Sequence, residues 1–198
     1  MTQITNEHVE WAVVDRLRQM LDEPPHQTFN VTQAYALFTT ILCWVMQRIR
    51  RDDEIARGVL KKLKEAPIEG DPWGVRLTAR LQPVRVPAPR GFEGRKAERF
   101  LINLRNATAH GDASKVVPFN EQIRGERLLV GFTFKCDEPG GNRPKTWEGE
   151  ITLLESDLRR IGRALAKLYC DALRGSEAHR RDSQFGSDAE RSVREVAA

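Results

Sequence analysis

The sequence predicts an all-α protein: an up-and-down bundle of four main helices, with an inserted β-hairpin and a polar C-terminal tail. Three observations predict it. Apolar residues recur at three- and four-residue spacing over segments of bundle length, with Val14, Phe38, Leu60, Leu101 and Leu165 among them. Prolines and glycines gather between those segments. One region, residues 123–151, changes to a period of two. With 198 residues, 40% of them apolar and 30% charged, the chain has the balance of one globular domain with a real core. The expected division is a helical domain over 5–175 and a polar tail over 176–198.

Taken in order, Thr5 or Asn6 is placed to cap a first helix running to about Asp22. Trp11, Val14, Leu17 or Arg18, and Leu21 form its stripe, and Pro24-Pro25 stops it. Asn30 with Gln33 resembles a capping box for a longer second helix, whose wide face includes Phe38, Ile41, Leu42, Val45 and Ile49. Trp44 lies at the edge of that face, a place that suits core packing or a dimer contact equally. A third helix, roughly Asp53 to Lys64, uses Ile55, Val59, Leu60 and Leu63. From Ala66 to Gly91 five prolines break any long helix and leave room for one short helical piece, Trp73 to Leu81. A connection of that length is either a packed lid or a mobile basic loop, and a candidate for substrate contact.

Glu93 or Gly94 opens the next helix, which ends near Gly111, and residues 112–120 read as loop. Leu128, Val130, Phe132 and Phe134 alternate with Leu129, Gly131, Thr133 and Lys135, which is strand spacing. Asp137 to Asn142 reads as a turn and Thr146 to Ile151 as the returning strand. Thr152 with Glu155 offers a capping box to a last helix striped by Leu158, Ile161, Leu165, Leu168 and Leu173.

Charge narrows the function little in total and more in its distribution. The net charge is +4, from 32 Lys and Arg against 28 Asp and Glu, which excludes nothing. Between Val75 and Arg105, however, eight basic residues face only Glu93 and Glu98. A basic run of that kind suits a polyanion, although a solvated helix face explains any one of its residues. Cys43, Cys136 and Cys170 are far apart and form no CxxC, and Cys43 and Cys170 fall in apolar helical patterns. The N-terminal residues do not read as a signal peptide, and the longest apolar run, Ile41 to Met46, is far short of a membrane span. A cytoplasmic protein with no membrane partner is expected.

The densest chemistry lies at the end of the fourth long helix, in Phe100 to Asp112. Asn106 and His110 are four apart and share a helix face, with Arg105 beside it. An arginine fork, an amide and a ring that titrates near neutrality suit a phosphodiester. Histidine at a helix C-terminus is also a common capping residue, and arginine there favours the helix dipole, so spacing alone leaves both readings open.

Arg105, Asn106, Ala109, His110 and Gly111 together resemble the R-x4-H motif of HEPN domains in its RNxxAHG form. The resemblance covers about Phe92 to Leu173. It implies a metal-independent endoribonuclease in which the RNA 2′-hydroxyl attacks the adjacent phosphate, leaving a 2′,3′-cyclic phosphate. Arg105 would hold the phosphate, His110 would move protons, and Asn106 would orient the ring or a phosphate oxygen. Arg90, Arg95, Lys96 and Arg99, in the basic run leading to the motif, are the expected substrate contacts. No metal or cofactor is called for: carboxylates are not clustered, and Asp112 reads as a lone turn residue. His8, His26 and His179 have no motif around them, so the resemblance implies a homodimer that shares Arg105 and His110 across one groove. It further implies a toxin or phage-defence role, with any antitoxin or regulator encoded separately. The alternative is a non-catalytic HEPN-like module that binds nucleotide, RNA or a protein.

Overall fold

Helical spacing becomes five α-helices among the described residues, and the period-two region becomes part of a three-stranded sheet. The computed structural model describes residues 9–23, 29–51, 53–80, 84–109, 113–140 and 143–174. In chain order the elements are α1 (Val9–Asp22), α2 (Asn30–Arg48), α3 (Glu54–Glu65), α4 (Ala97–Ala109), β1 (Val116–Ile123), β2 (Glu126–Gly140), β3 (Arg143–Leu154) and α5 (Glu155–Leu173). The all-α expectation of four main helices with a simple hairpin is therefore wrong. This is a mixed fold, with an antiparallel sheet in the order β1-β2-β3.

Helix α2 occupies the centre because its apolar face is wide. Ala34, Leu37, Phe38, Ile41, Leu42, Val45 and Met46 are all buried, and α5 is the helix's main packing partner. Trp44 is half-buried and packs on this core. Helix α1 lies along α5, where the Leu21 carbonyl at its end accepts hydrogen bonds from Arg159 (3.0 Å) and Arg163. Helix α4 packs against α2, α3 and β2. The sheet joins the same core: Phe134 and Ile151, paired across β2 and β3, are buried, and Phe134 meets Phe38 edge-on at 6.3 Å between ring centres.

The sheet differs from expectation at both ends, for identifiable reasons. Strand β1 covers ground expected to be loop. It pairs Val116 with Phe134 and Pro118 with Phe132, and it has no fully buried residue to set an alternation. It is an edge strand, where proline's missing N–H is tolerated. Its turn, Arg124-Gly125, has φ of +52° and +87°, the two positive values a type I′ two-residue hairpin needs. The β2–β3 ladder also continues through the expected turn, setting Asp137 opposite Glu148 and Glu138 opposite Trp147.

Two expected caps are replaced. Thr152 belongs to β3 and bonds Thr133 across the ladder at 2.8 Å, while α5 is capped by Asp157, which accepts from the Leu154 N–H at 3.1 Å. Asn30 is the first residue of α2 rather than its cap, and its buried side-chain oxygen finds no partner among the described residues. Asp53 does cap α3, accepting from the Ala56 N–H at 2.8 Å.

The proline-rich connection is packed. Of the helical piece expected from Trp73 to Leu81, the described residues 73–80 form no helix: Gly74 has φ +53°, and Ile68, Trp73 and Val75 turn into the core. The segment then runs as a strap beside β3, joined to it by reciprocal backbone bonds between Arg90 and Glu150 (2.8 and 3.0 Å). Gly91, with φ +75°, receives the indole N–H of Trp147 on its carbonyl at 2.7 Å. The expected first-helix cap, the Pro24-Pro25 stop, His8, His26, His179 and the tail lie outside the described residues. No described helix is long and apolar enough to cross a membrane.

Candidate functional site

The buried face of α4, formed by Ala97, Phe100, Leu101, Leu104 and Ala107, fixes the helix's rotation and leaves Arg105 and Asn106 half-buried at its edge. That edge lies along α2. Cys43 Sγ is 3.9 Å from Thr108 Oγ1, and Arg105 Nη2 donates to Gln47 Oε1 at 3.2 Å. One turn up α2 thus corresponds to one turn down α4, so the helices are antiparallel here. Thr108 also donates to the Arg105 carbonyl at 3.0 Å, a local bond that occupies its hydroxyl.

The Arg105 guanidinium is held by amides. Nη1 donates to Asn106 Oδ1 at 3.2 Å, Nη2 to Gln47, and the buried Nε has no partner among the described residues. Among the described residues no carboxylate forms an ion pair with it. Arginine remains cationic in proteins, so the described residues position this side chain without neutralising it. Asn106, expected to orient the ring or a phosphate oxygen, has its amide oxygen turned to the guanidinium. His110, Gly111 and Asp112 lie outside the described residues.

The four expected substrate contacts divide into two pairs. Arg90 bonds Glu150 at 2.8 Å. Arg95 bonds Glu138 at 2.7 Å, and its guanidinium lies 4.0 Å from the centre of the Trp147 ring. Lys96 and Arg99 are exposed, without an ion pair among the described residues. Arg99 is seven residues before Asn106, two turns up the same face of α4. The structure therefore brings Arg105 and Asn106 together, leaves Lys96 and Arg99 available, and engages Arg90 and Arg95 with acids.

Beyond the motif, Ser114 and Lys115 enter a cleft of about 530 Å³ that Arg90 also lines. Its charges are mixed: Arg90, Lys115 and Lys135 against Asp137, Glu148 and Glu150. Burial pushes the Cys136 thiol in its wall up to about 12, so that sulfur is no nucleophile at neutral pH. No group of three or more His, Cys, Asp and Glu among the described residues could hold a metal ion.

Sequence reasoning missed two polar residues here. Gln47 is 58 positions from Arg105, and only the α2–α4 register joins them. Asn103 is 1% exposed, its oxygen without a partner among the described residues and its NH2 3.5 Å from Glu138. Its place on the same helix as the motif was visible in the sequence; its burial was not. Comparison with protein-family models gives no match, and comparison with curated proteins and with solved structures gives none either.

Proposed function

We propose that the chain is a metal-independent endoribonuclease of the HEPN type, acting through Arg105 and His110. The observation that carries this reading is the state of Arg105: fixed by two neutral amides, it presents a positive charge that an anionic substrate would complete. The reading rests on the motif and this local geometry. It does not rest on the overall architecture, which is mixed rather than all-helical.

In this mechanism the fork of Arg105 binds the scissile phosphate and stabilises charge growing on its equatorial oxygens. His110 takes the 2′-hydroxyl proton or gives one to the leaving 5′-oxygen. Asn106 and Gln47 keep the guanidinium aimed, and Lys96 and Arg99 attract the flanking strand. In-line cleavage needs both an acid and a base, so a second copy of the chain supplies the second His110 in a homodimer. Light scattering on the eluted protein should give twice the chain mass; a monomer under active conditions counts against the shared site. The three cysteines are unpaired thiols, as a reducing, cytoplasmic setting requires. A toxin or phage-defence role with a separately encoded regulator belongs to the same proposal.

One observation favours a second reading, a non-catalytic binding module: the Arg105–Gln47 bond also ties α4 to α2. Incubating the protein with a mixed RNA pool in EDTA, beside His110→Ala, separates the two. Cyclic-phosphate ends made by the wild type and absent with the variant support the enzyme. Intact RNA, still bound by both proteins, supports the module.

A further inference from the structure

At the start of α5 the strap and the helix enclose a second basic site, remote in sequence from the motif. A pocket of about 320 Å³ is lined by Gly74, Arg76, Arg80, Ser156, Asp157 and Arg160. Asp157 has a side chain only 7% exposed and organises this pocket. It accepts both Nη atoms of Arg80 and, at 2.6 Å, Nη2 of Arg160. One carboxylate therefore fixes two guanidinium groups at the pocket wall.

The charges do not balance. Arg76 is exposed, lines the same pocket, and has no ion pair among the described residues. Glu155, the other acid of the first helical turn, is taken by Arg159 at 2.9 Å. Three cations against one carboxylate leave two positive charges around an open space. Nη1 of Arg160 is also buried with no acceptor among the described residues, turned against Gly74, where the absence of a Cβ admits it. A tetrahedral oxyanion in the open space would supply acceptors to the remaining donors of these forks together. The Ser156 hydroxyl and the positive end of α5 add to that preference.

We infer that the Arg76–Arg80–Arg160 pocket binds a phosphate dianion, whose two charges match the excess. The inference does not depend on the ribonuclease reading. The ligand is either a free phosphate or the terminal phosphate of a nucleic acid strand, and these share one chemistry.

The test is calorimetric titration of the full chain with inorganic phosphate, then with 5′-phosphorylated and 5′-hydroxyl oligodeoxynucleotides, which have no 2′-hydroxyl to react. Wild type should bind phosphate saturably at one site. Arg76→Gln should weaken binding at least tenfold without changing the melting temperature of the unliganded protein. Arg85→Gln, which removes the same charge from the strap outside the pocket, should bind as wild type does. Preference for the 5′-phosphorylated strand over inorganic phosphate identifies a strand end, and equal binding identifies a free phosphate. No saturable binding, or equal weakening by Arg76→Gln and Arg85→Gln, overturns the inference.

Discussion

Arg95 and Arg105 are ten residues apart, one just before α4 and the other near its C-terminal end, and the fold treats them in opposite ways. Arg95 is bound to Glu138 and stacked on Trp147, so its charge and its flat face are both used within the protein. Arg105 has, among the described residues, only the oxygens of Asn106 and Gln47. The first arrangement stabilises the packing of strap, sheet and helix. The second fixes a cation in place and leaves its charge for something else. The same basic run therefore holds one arginine serving structure and another open to an anion, which composition cannot distinguish.

The largest expected effect is on catalysis at Arg105. Removing a donor aimed at developing charge costs about 10²–10³-fold in rate, so Arg105→Gln should lose cleavage to that extent while Arg95→Gln stays within about threefold. The reverse should hold for stability. Arg95→Gln gives up a largely buried ion pair and a cation–π contact and should lose about 1–2 kcal/mol in chemical denaturation. Arg105→Gln should lose less than about 1 kcal/mol.

Asp157 extends the contrast to pH. Burial opposes its ionisation, but the hydrogen bonds and charges of Arg80, the Leu154 N–H and Arg160 hold its carboxyl below the usual range. Its folded pKa is thus lower than the unfolded value of about 3.9, so its contribution is complete above that value and is lost as pH falls through the folded one. Asp157→Asn should cost about 3 kcal/mol at pH 7 by stripping two arginines of their counter-charge. Its denaturation midpoint should also fall less than that of wild type between about pH 5 and 3. Arg105 has no carboxylate partner among the described residues, so the stability gap between wild type and Arg105→Gln should stay constant over that range. A gap that closes in acid would reveal a carboxylate on Arg105 and erase the contrast with Arg95.

How much of this could be read from the chain follows the same physical divisions. Helices α2, α3, α4 and α5 were legible to within a few residues because each buries one stripe at three-to-four spacing. The sheet was half legible. Phe132 and Phe134 announce a strand, but β1 contains Pro118, buries nothing fully, and turns through Arg124-Gly125, a weak sequence signal. The polar Asp137 and Glu138 read as turn because nothing local shows that Trp147 anchors the strand opposite them. At the candidate site, Arg105 and Asn106 were legible as neighbours in a motif. Gln47 was not, because it reaches them only through the packing of α2 on α4.

The smallest expected effect is at that residue. Gln47→Ala removes one of the two bonds holding Arg105, for about 0.5–1 kcal/mol of stability. Cleavage should fall a few fold, much less than for Arg105→Gln. A loss as large as that of Arg105→Gln would make Gln47 itself a substrate contact.

The most direct test is a side-by-side assay of Arg105→Gln and Arg95→Gln, scoring each for RNA cleavage in EDTA and for melting temperature. The account predicts that Arg105→Gln is folded and inactive, and that Arg95→Gln is active and less stable. It is contradicted if Arg105→Gln cleaves as well as wild type, or if its only loss is of stability.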